Sequence, residues 1–222
     1  MRKARFLMAI VGLASASRAE VQGYRLAQGK DGPGISTALS YTFGMHGNRV
    51  TRAEGEVRLD PDVAGNVTGE LRVPIDALVS DSAERDCHMR EALGLDYKRS
   101  HFPDEHLCSN DRLPAGAVVF PEIILQIRGA NAPAVTTLAV GKETPISVDA
   151  AWTIHGVTRP ARLQLTVSRD AKIPGAVRIR GSSDVRLADF GVVVKSAHVL
   201  FVTSSVGDTA TVQFDLTLVP HR

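Results

Sequence analysis

The chain has 222 residues, 44% of them hydrophobic and 23% charged, the composition of a globular protein able to bury a core and not of a disordered chain. Its 26 basic and 24 acidic residues are interspersed and leave a net charge of +2, with no basic tract and little aromatic interleaving, so nucleic acid is not an expected partner. No apolar run reaches the roughly 18 residues of a membrane-spanning helix, so no integral span is expected.

The N-terminus reads as a signal peptide. Arg2, Lys3 and Arg5 form a positive region, Phe6 to Leu13 a short apolar one, and Ala14-Ser15-Ala16 and Ser17-Arg18-Ala19 offer small residues for cleavage after Ala16 or Ala19. No Cys follows the apolar region, so a lipoprotein anchor is not indicated. Residues 1–19 are therefore set apart, and residues 20–222 are expected to form one domain.

Most of that domain reads as β-structure. Tyr24-Arg25-Leu26 suits a short first strand, and Lys30 to Gly34 a turn. Ile35, Thr37, Leu39, Tyr41 and Phe43 alternate with Ser36, Ala38, Ser40 and Thr42, a period of two that predicts a strand with one apolar face. Gly44, Gly47 and Asn48 are expected to end it. Val50 to Asp60 is the next predicted strand, with Val57 and Leu59 on one face, and Pro61 to Asn66 a turn. Val67, Leu71, Val73 and Ile75 form another apolar set; Pro74, on the outward set, marks an edge or the point where the chain leaves the sheet.

Asp81 to Leu93 is the one clear helix. Ser80 or Asp81 can cap it, and Glu84 stands three residues after Asp81 as in a capping box. Ala83, Cys87, Leu93, Met89 and the stem of Arg90 give its apolar stripe, and Gly94 suits the position just past its end. Leu95 to Pro103 reads as a loop with a helical turn. Strands are then predicted over Val118 to Ile127, Pro145 to Ile154, Ala161 to Ser168, Ala176 to Leu187, His198 to Ser204 and Ala210 to Val219. His155-Gly156 lies between two alternating strands, where glycine supplies the positive φ of a tight hairpin, and Pro160 is expected to start the strand that follows. About nine strands and one helix suit an up-and-down barrel or a sandwich.

No phosphate-binding loop, dinucleotide fingerprint, nucleophile elbow or zincin motif is present. The densest polar cluster is Asp86-Cys87-His88, then His101, then Asp104-Glu105-His106-Leu107-Cys108. Thiolate and imidazole suit zinc, but the spacing matches no standard finger. Two cysteines in an exported chain favour a Cys87–Cys108 disulfide, the alternative being two unpaired buried thiols. Asn66-Val67-Thr68 is a glycosylation sequon, relevant only in a eukaryotic secretory pathway. Trp152, the single tryptophan, falls in the apolar phase of its strand and suits core packing.

Five groups of residues resemble the YceI-like family, periplasmic barrels that bind long isoprenoid lipids. The run Thr153-Ile154-His155-Gly156-Val157-Thr158-Arg159-Pro160 is similar to the family's L-T-I-x-G-V-T-K/R-P hairpin. Phe43-x-x-His46-Gly47 followed by Gly55-x-Val57 resembles its early hairpin, and Arg85-Asp86-x-His88-Met89-Arg90 its helix, with Phe102-Pro103 in place of the Y/F-P pair. Asp189-Phe190-Gly191-Val192 and Val206-Gly207-Asp208 resemble its late D-F-G-I and V-G-D words. Order and spacing agree over about residues 24 to 219. The chain departs from the family where an aromatic is usual near Glu56 and Val57, and again at Glu105-His106-Leu107-Cys108, where the family has an aromatic-rich strand.

The resemblance implies an all-β fold: an extended, lipocalin-like antiparallel β-barrel of about eight strands with one helix packed against it. It implies a soluble periplasmic protein, non-catalytic, with no cofactor and no metal, whose barrel interior binds a long-chain isoprenoid or other apolar lipid. Shared phase on the alternating strands makes Leu39, Tyr41, Phe43, Leu71, Val73, Val148, Trp152, Leu163, Leu165, Phe214 and Leu216 the expected lining of an apolar tunnel. His46 and His155 are expected at strand ends, away from the middle of the barrel. Two other readings stand beside this one: an enzyme of isoprenoid or lipid metabolism on the same barrel, and a metal or haem module using His88, His101 and His106. A monomer and a homodimer are both compatible with the sequence.

Overall fold

Alternation builds the walls. Ile146, Val148, Ala150, Trp152 and Ile154 are buried at every second position of one strand, and Val212, Phe214, Leu216 and Leu218 of another. Successive side chains of a strand face opposite sides, so each such strand has one apolar face that must be covered. A computed structural model of the chain describes residues 21–42, 44–131, 137–194, 197–199 and 202–221. The expected signal segment and Phe43 lie outside the described residues.

In chain order the strands are β1 (Gln22–Leu26), β2 (Ile35–Tyr41), β3 (Gly44–Val50), β4 (Glu54–Asp60), β5 (Val63–Pro74), β6 (Leu78–Val79), β7 (Glu122–Asn131), β8 (Thr144–Ile154), β9 (Val157–Arg169), β10 (Val177–Arg186), β11 (Ala197–Val199), β12 (Val202–Ser204) and β13 (Val206–Pro220). Two helices, α1 (Ala83–Gly94) and α2 (Tyr97–Ser100), fall between β6 and β7. The order β1-β4-β5-β7-β8-β9-β10-β13 closes on itself, because β1 also pairs with β13, with Leu26 opposite Leu218. Every pair in this ring is antiparallel, giving the expected barrel of eight strands. Closure removes the open edges that would otherwise invite further pairing.

Three further strands extend the wall at one end. β2 takes over the β13 edge beyond β1, from Ile35 opposite Phe214 to Tyr41 opposite Val206, and β3 and the short β6 follow it. The ends of β5, β8 and β10 meet the starts of β7, β9 and β13 at this same end, the mouth. At the opposite end, the floor, Tyr24, Val57, Leu59, Leu138, Val177 and Leu218 are each no more than 2% exposed and belong to one packed cluster.

Local chemistry fixes the helix and the central hairpin. Ser82 caps α1, its Oγ accepting from the backbone N–H of Arg85 at 3.3 Å. The cap is one residue later than the sequence suggests, and Arg85 stands where a capping box would need an acid, so no box forms. The nearby carboxylate of Asp86 instead accepts from the Ser80 N–H at 2.7 Å and the Ser80 hydroxyl at 2.6 Å. Gly94 is the last helical residue, not the one beyond it. A Cβ there would stand 2.5 Å from Cδ1 of Ile75, so glycine lets the helix end close onto the wall, where Gly94 O accepts from Val119 and Phe120.

His155 and Gly156 have φ of 50° and 74°, the paired positive values of a type I′ turn, and Ile154 pairs directly with Val157. β9 therefore starts three residues before Pro160. Hydrogen-bonded and non-bonded pairs alternate from the turn, which puts Pro160 opposite Ala151 in a non-bonded pair. Its N position faces the other edge, and β10 pairs only from Gln164 onward, so no ladder bond is lost. The largest departure from sequence expectation is β3, a strand through Gly44, Gly47 and Asn48, which were expected to end the strand before them. The predicted strand from Val50 to Asp60 is split accordingly, with β4 starting only at Glu54. Pro74 ends β5, and the chain leaves the sheet there into a 3-10 turn over Ile75–Ala77.

Candidate ligand-binding cavity

The barrel interior holds a cavity of about 590 Å³ at the mouth end. Its wall comes from residues of five barrel strands, β5, β7, β8, β10 and β13, and of β2 and β3, together with one face of α1. The expected liners Leu39, Leu71, Val73, Trp152 and Phe214 are all there. Val148, Leu163, Leu165 and Leu216 point inward in the same phase, but they do not line the cavity: Val148 pairs with Leu163, Ile146 with Leu165 and Ile179 with Leu216, in the packed lower half. The phase of a strand tells inside from outside and carries no information about depth. The interior is thus a chamber over a solid floor, not a tunnel lined by all of them. Tyr41 is not among the liners; its ring stacks on His46 with centroids 3.9 Å apart.

The helix contributes Arg85, His88, Met89, Ala92 and Leu93, the first four spaced to share one face. Of the stripe expected from Ala83, Cys87, Leu93, Met89 and the stem of Arg90, Met89 and Leu93 line the cavity, whereas Cys87 turns to the disulfide. Phe102 and His106 complete this side from the loop after α2, and Val192 and Val193 from the segment after β10. Tyr97 clamps these pieces together. Its hydroxyl donates to the Ala92 carbonyl and accepts from the Val193 N–H at 3.2 Å, and its ring packs on His155 at 4.4 Å. His155 Nε2 in turn donates to the Leu95 carbonyl at 2.7 Å, so the turn of the β8–β9 hairpin secures the end of α1.

Polar groups gather where α1 meets β3. His46 lies in the middle of β3 and lines the cavity, a correction to the strand-end position expected for it. His46 and Asn48 share the inner phase with Val50. A guanidinium N–H of Arg85 donates to Nδ1 of His46 at 2.7 Å, and a second donates to Asp81. Burial and the neighbouring Arg85 charge both push the His46 pKa down.

Behind this rim lies Glu91, fully buried. Its Oε2 accepts from Nδ1 of His88 and Nδ1 of His106, each at 2.8 Å; its Oε1 accepts from the backbone N–H groups of Leu107 and Cys108. Burial alone would push its pKa up, but the hydrogen bonds from His88, His106, Cys108 and Leu107 outweigh that and hold it below its ordinary value. Beside it, Cys87 and Cys108 form the expected disulfide, with Cα atoms 6.0 Å apart. Glu91 therefore ties the loop to the helix noncovalently where the disulfide ties it covalently.

His88, Glu91 and Cys108 bring potential ligand atoms within 4.8 Å of one another. Cys108 Sγ is spent in the disulfide and is no thiolate, so the set falls short of a zinc tetrahedron. His101, the third member of the metal or haem reading, is exposed at the C-cap of α2 and has no part in this group. Trp152 is 7% exposed, stacks on Phe214 at 6.3 Å, and buries Nε1 without a hydrogen-bond partner among the described residues.

Sequence reasoning missed Glu91, Arg85, His46 and His106 as parts of one site. The three-residue spacing from His88 to Glu91, which puts both on neighbouring turns of one helix face, was the one signal available.

The sequence profile of the YceI-like domain matches residues 34–218. Comparison with curated proteins finds no match. The fold is similar to a polyisoprenoid binding domain from Saccharophagus degradans implicated in plant cell wall breakdown, with a TM-score of 0.59 and 14% identity over 91% of this chain and 100% of that one. It is similar also to BcnA of Burkholderia cenocepacia, with a TM-score of 0.57 and 14% identity over 83% of this chain and 94% of that one. A YceI protein of Campylobacter jejuni gives 0.53 and 11%, over 79% and 84%.

Proposed function

Because the chain belongs to the YceI-like family, we propose that it binds or carries a long-chain isoprenoid or similar apolar lipid in the upper half of its barrel, without catalysing a reaction on it. The observation that carries this reading is the cavity itself: about 590 Å³, walled by aliphatic and aromatic side chains, with polar groups confined to one side of its mouth. Sites for small ligands commonly span about 300–1,000 Å³ with such walls. Each CH₂ buried there contributes about 0.8 kcal/mol, so an extended hydrocarbon chain reaches useful affinity without a charged contact. The polyisoprenoid binding domain of similar fold supports the same ligand class.

The non-catalytic reading rests on the lining, which includes no serine, thiol or carboxylate among the described residues. The cavity's histidines are held by Arg85 and Glu91 and are not paired with a nucleophile. An exported, periplasmic carrier suits the basic and apolar N-terminal segment. No helix among the described residues is long and apolar enough to cross a membrane.

The test uses a hydrocarbon with no head group. Trp152 is the single tryptophan and lies in the cavity wall, so its emission reports occupancy. Titrating delipidated protein with micelle-dispersed squalene is expected to give a saturable change in that emission, lost in Leu71→Arg protein that keeps its far-ultraviolet circular dichroism. A flat titration of the wild type overturns the proposal.

A further inference from the structure

The floor of the chamber fixes how long a chain the chamber can hold. Inward positions recur every second residue along a strand, about 7 Å apart. Leu71, Leu125 and Trp152 pair across β5, β7 and β8 as one rung, and all three line the cavity. One inward step further from the mouth, Gly69, Ile127 and Ala150 pair as the next rung, and none of them lines it. On β13 the same boundary falls between Phe214, which lines the cavity, and Leu216, which does not. Gly181 of β10 pairs with both Phe214 and Leu165. A Cβ on Gly181 would stand 2.5 Å from Cδ2 of Leu165, so the Leu165 side chain fills the space that a β10 side chain would take. Ile127, Ala150, Leu165 and Leu216 are all buried members of the core cluster. The change from chamber to floor thus falls within one inward step on β5, β7, β8 and β13.

A closed floor turns the cavity volume into a limit on the ligand. At the packing density of protein interiors, a volume of about 590 Å³ holds roughly 25 carbons of hydrocarbon chain, or about five isoprene units. A sixth unit, as in squalene, stays within the roughly 70–90% burial common for such sites. At the same packing density, an eight-unit chain leaves about three units outside, beyond a rim made polar by His46, Asn48, Arg85, His88 and His106. Carbons that stay in water contribute nothing to binding and oppose transfer from a micelle or membrane. We propose that the chamber selects isoprenoid chains by length, with an optimum of about five units set by Ile127, Leu165 and Leu216 at its floor. This deepens the lipid-binding reading and rests on it.

Delipidated protein is offered an equimolar mixture of farnesol, geranylgeraniol, geranylfarnesol, hexaprenol and octaprenol in detergent micelles. Gel filtration removes the micelles, and mass spectrometry measures the lipid that stays bound. The five share one head group, so only chain length differs. Geranylfarnesol is expected to be bound most, and octaprenol at least tenfold less. Leu216→Ala takes about three carbons from the floor and should raise the ratio of hexaprenol to geranylfarnesol about threefold. Leu125→Phe adds about three carbons just above the floor and should move the maximum to geranylgeraniol. A merely structural role for these positions would lower all five ligands together and leave their order unchanged in both variants, which overturns the floor assignment. Octaprenol bound as well as geranylfarnesol, or a wild-type maximum at farnesol, overturns the length selection and leaves the lipid reading intact. If none of the five binds and the squalene titration is flat, the lipid reading falls and the length selection with it. Should Leu216→Ala protein not fold, Leu125→Phe and the wild-type distribution still decide.

Discussion

Replacing Glu91 should loosen the mouth more than any single cut in the cavity wall. The residue is fully buried and satisfies two imidazole N–H groups and two backbone N–H groups at once. In Glu91→Leu all four donors lose their acceptor. The imidazoles, with 41% and 36% of their side chains exposed, can turn to water. The backbone N–H groups of Leu107 and Cys108 cannot move without the loop, and each buried unpaired donor costs about 1–3 kcal/mol. The expected loss is about 3 kcal/mol, at the lower end of what removing one partner from a buried charged pair costs. Glu91→Gln keeps a carbonyl oxygen for the two backbone donors and needs only a tautomer change in the histidines, so about 1 kcal/mol is expected.

Urea unfolding of oxidised protein, followed by circular dichroism, measures both losses. Amide exchange adds a local readout, with Leu107 and Cys108 losing protection in Glu91→Leu while β8 and β9 keep theirs. The pH dependence has a definite sign. The folded-state pKa of Glu91 is lowered, so its contribution is complete above the ordinary carboxylate range and disappears as pH falls through the folded-state value. The stability gap between wild type and Glu91→Gln should therefore narrow on acidification. Wild-type stability in Glu91→Leu, or a gap constant from neutral to acid pH, would refute the reasoning.

Reducing the Cys87–Cys108 bond, which joins positions 21 apart, should lower stability by about 3 kcal/mol in the chain-entropy picture, while thiol titration of unfolded, unreduced protein should find no free thiol. Gly156→Val should cost about 2–3 kcal/mol in urea unfolding, because position 156 has φ of 74° and a Cβ there meets Phe120 at 2.6 Å. Leu39→Arg places a charge in the cavity wall at a half-buried site and should abolish lipid co-purification with circular dichroism unchanged; retained lipid would contradict the cavity assignment. Exhaustive dialysis against a chelator should leave both the unfolding curve and squalene binding unchanged, since Cys108 is not free to bind zinc; stoichiometric zinc by elemental analysis would contradict this.

The barrel was legible because its walls are written in a period of two. Apolar residues recur at every second position from Ile146 to Ile154 in β8 and from Val212 to Leu218 in β13, and the His155-Gly156 turn fixes their neighbour β9 in register. β3 was illegible for the opposite reason: Gly-Met-His-Gly-Asn-Arg-Val puts His46 and Asn48 on the inner face, so it shows no apolar alternation, and pairing with β2 makes it a strand. The floor could not be told from the cavity, since Leu163 and Phe214 carry the same phase and differ only in height. Glu91 was hidden because a charge is buried only where its partners are, and His106, Leu107 and Cys108 reach it from a loop more than a dozen residues onward. The disulfide was legible from the cysteine count and from the export expected of the N-terminal segment.

The measurement that bears most directly on the central claim is mass spectrometry of the organic extract of protein purified from its own host without detergent. The account predicts a stoichiometric long-chain isoprenoid or similar apolar lipid, present in the wild type and missing from Leu39→Arg protein purified in parallel. A lipid-free extract, or a water-soluble ligand in its place, would contradict it.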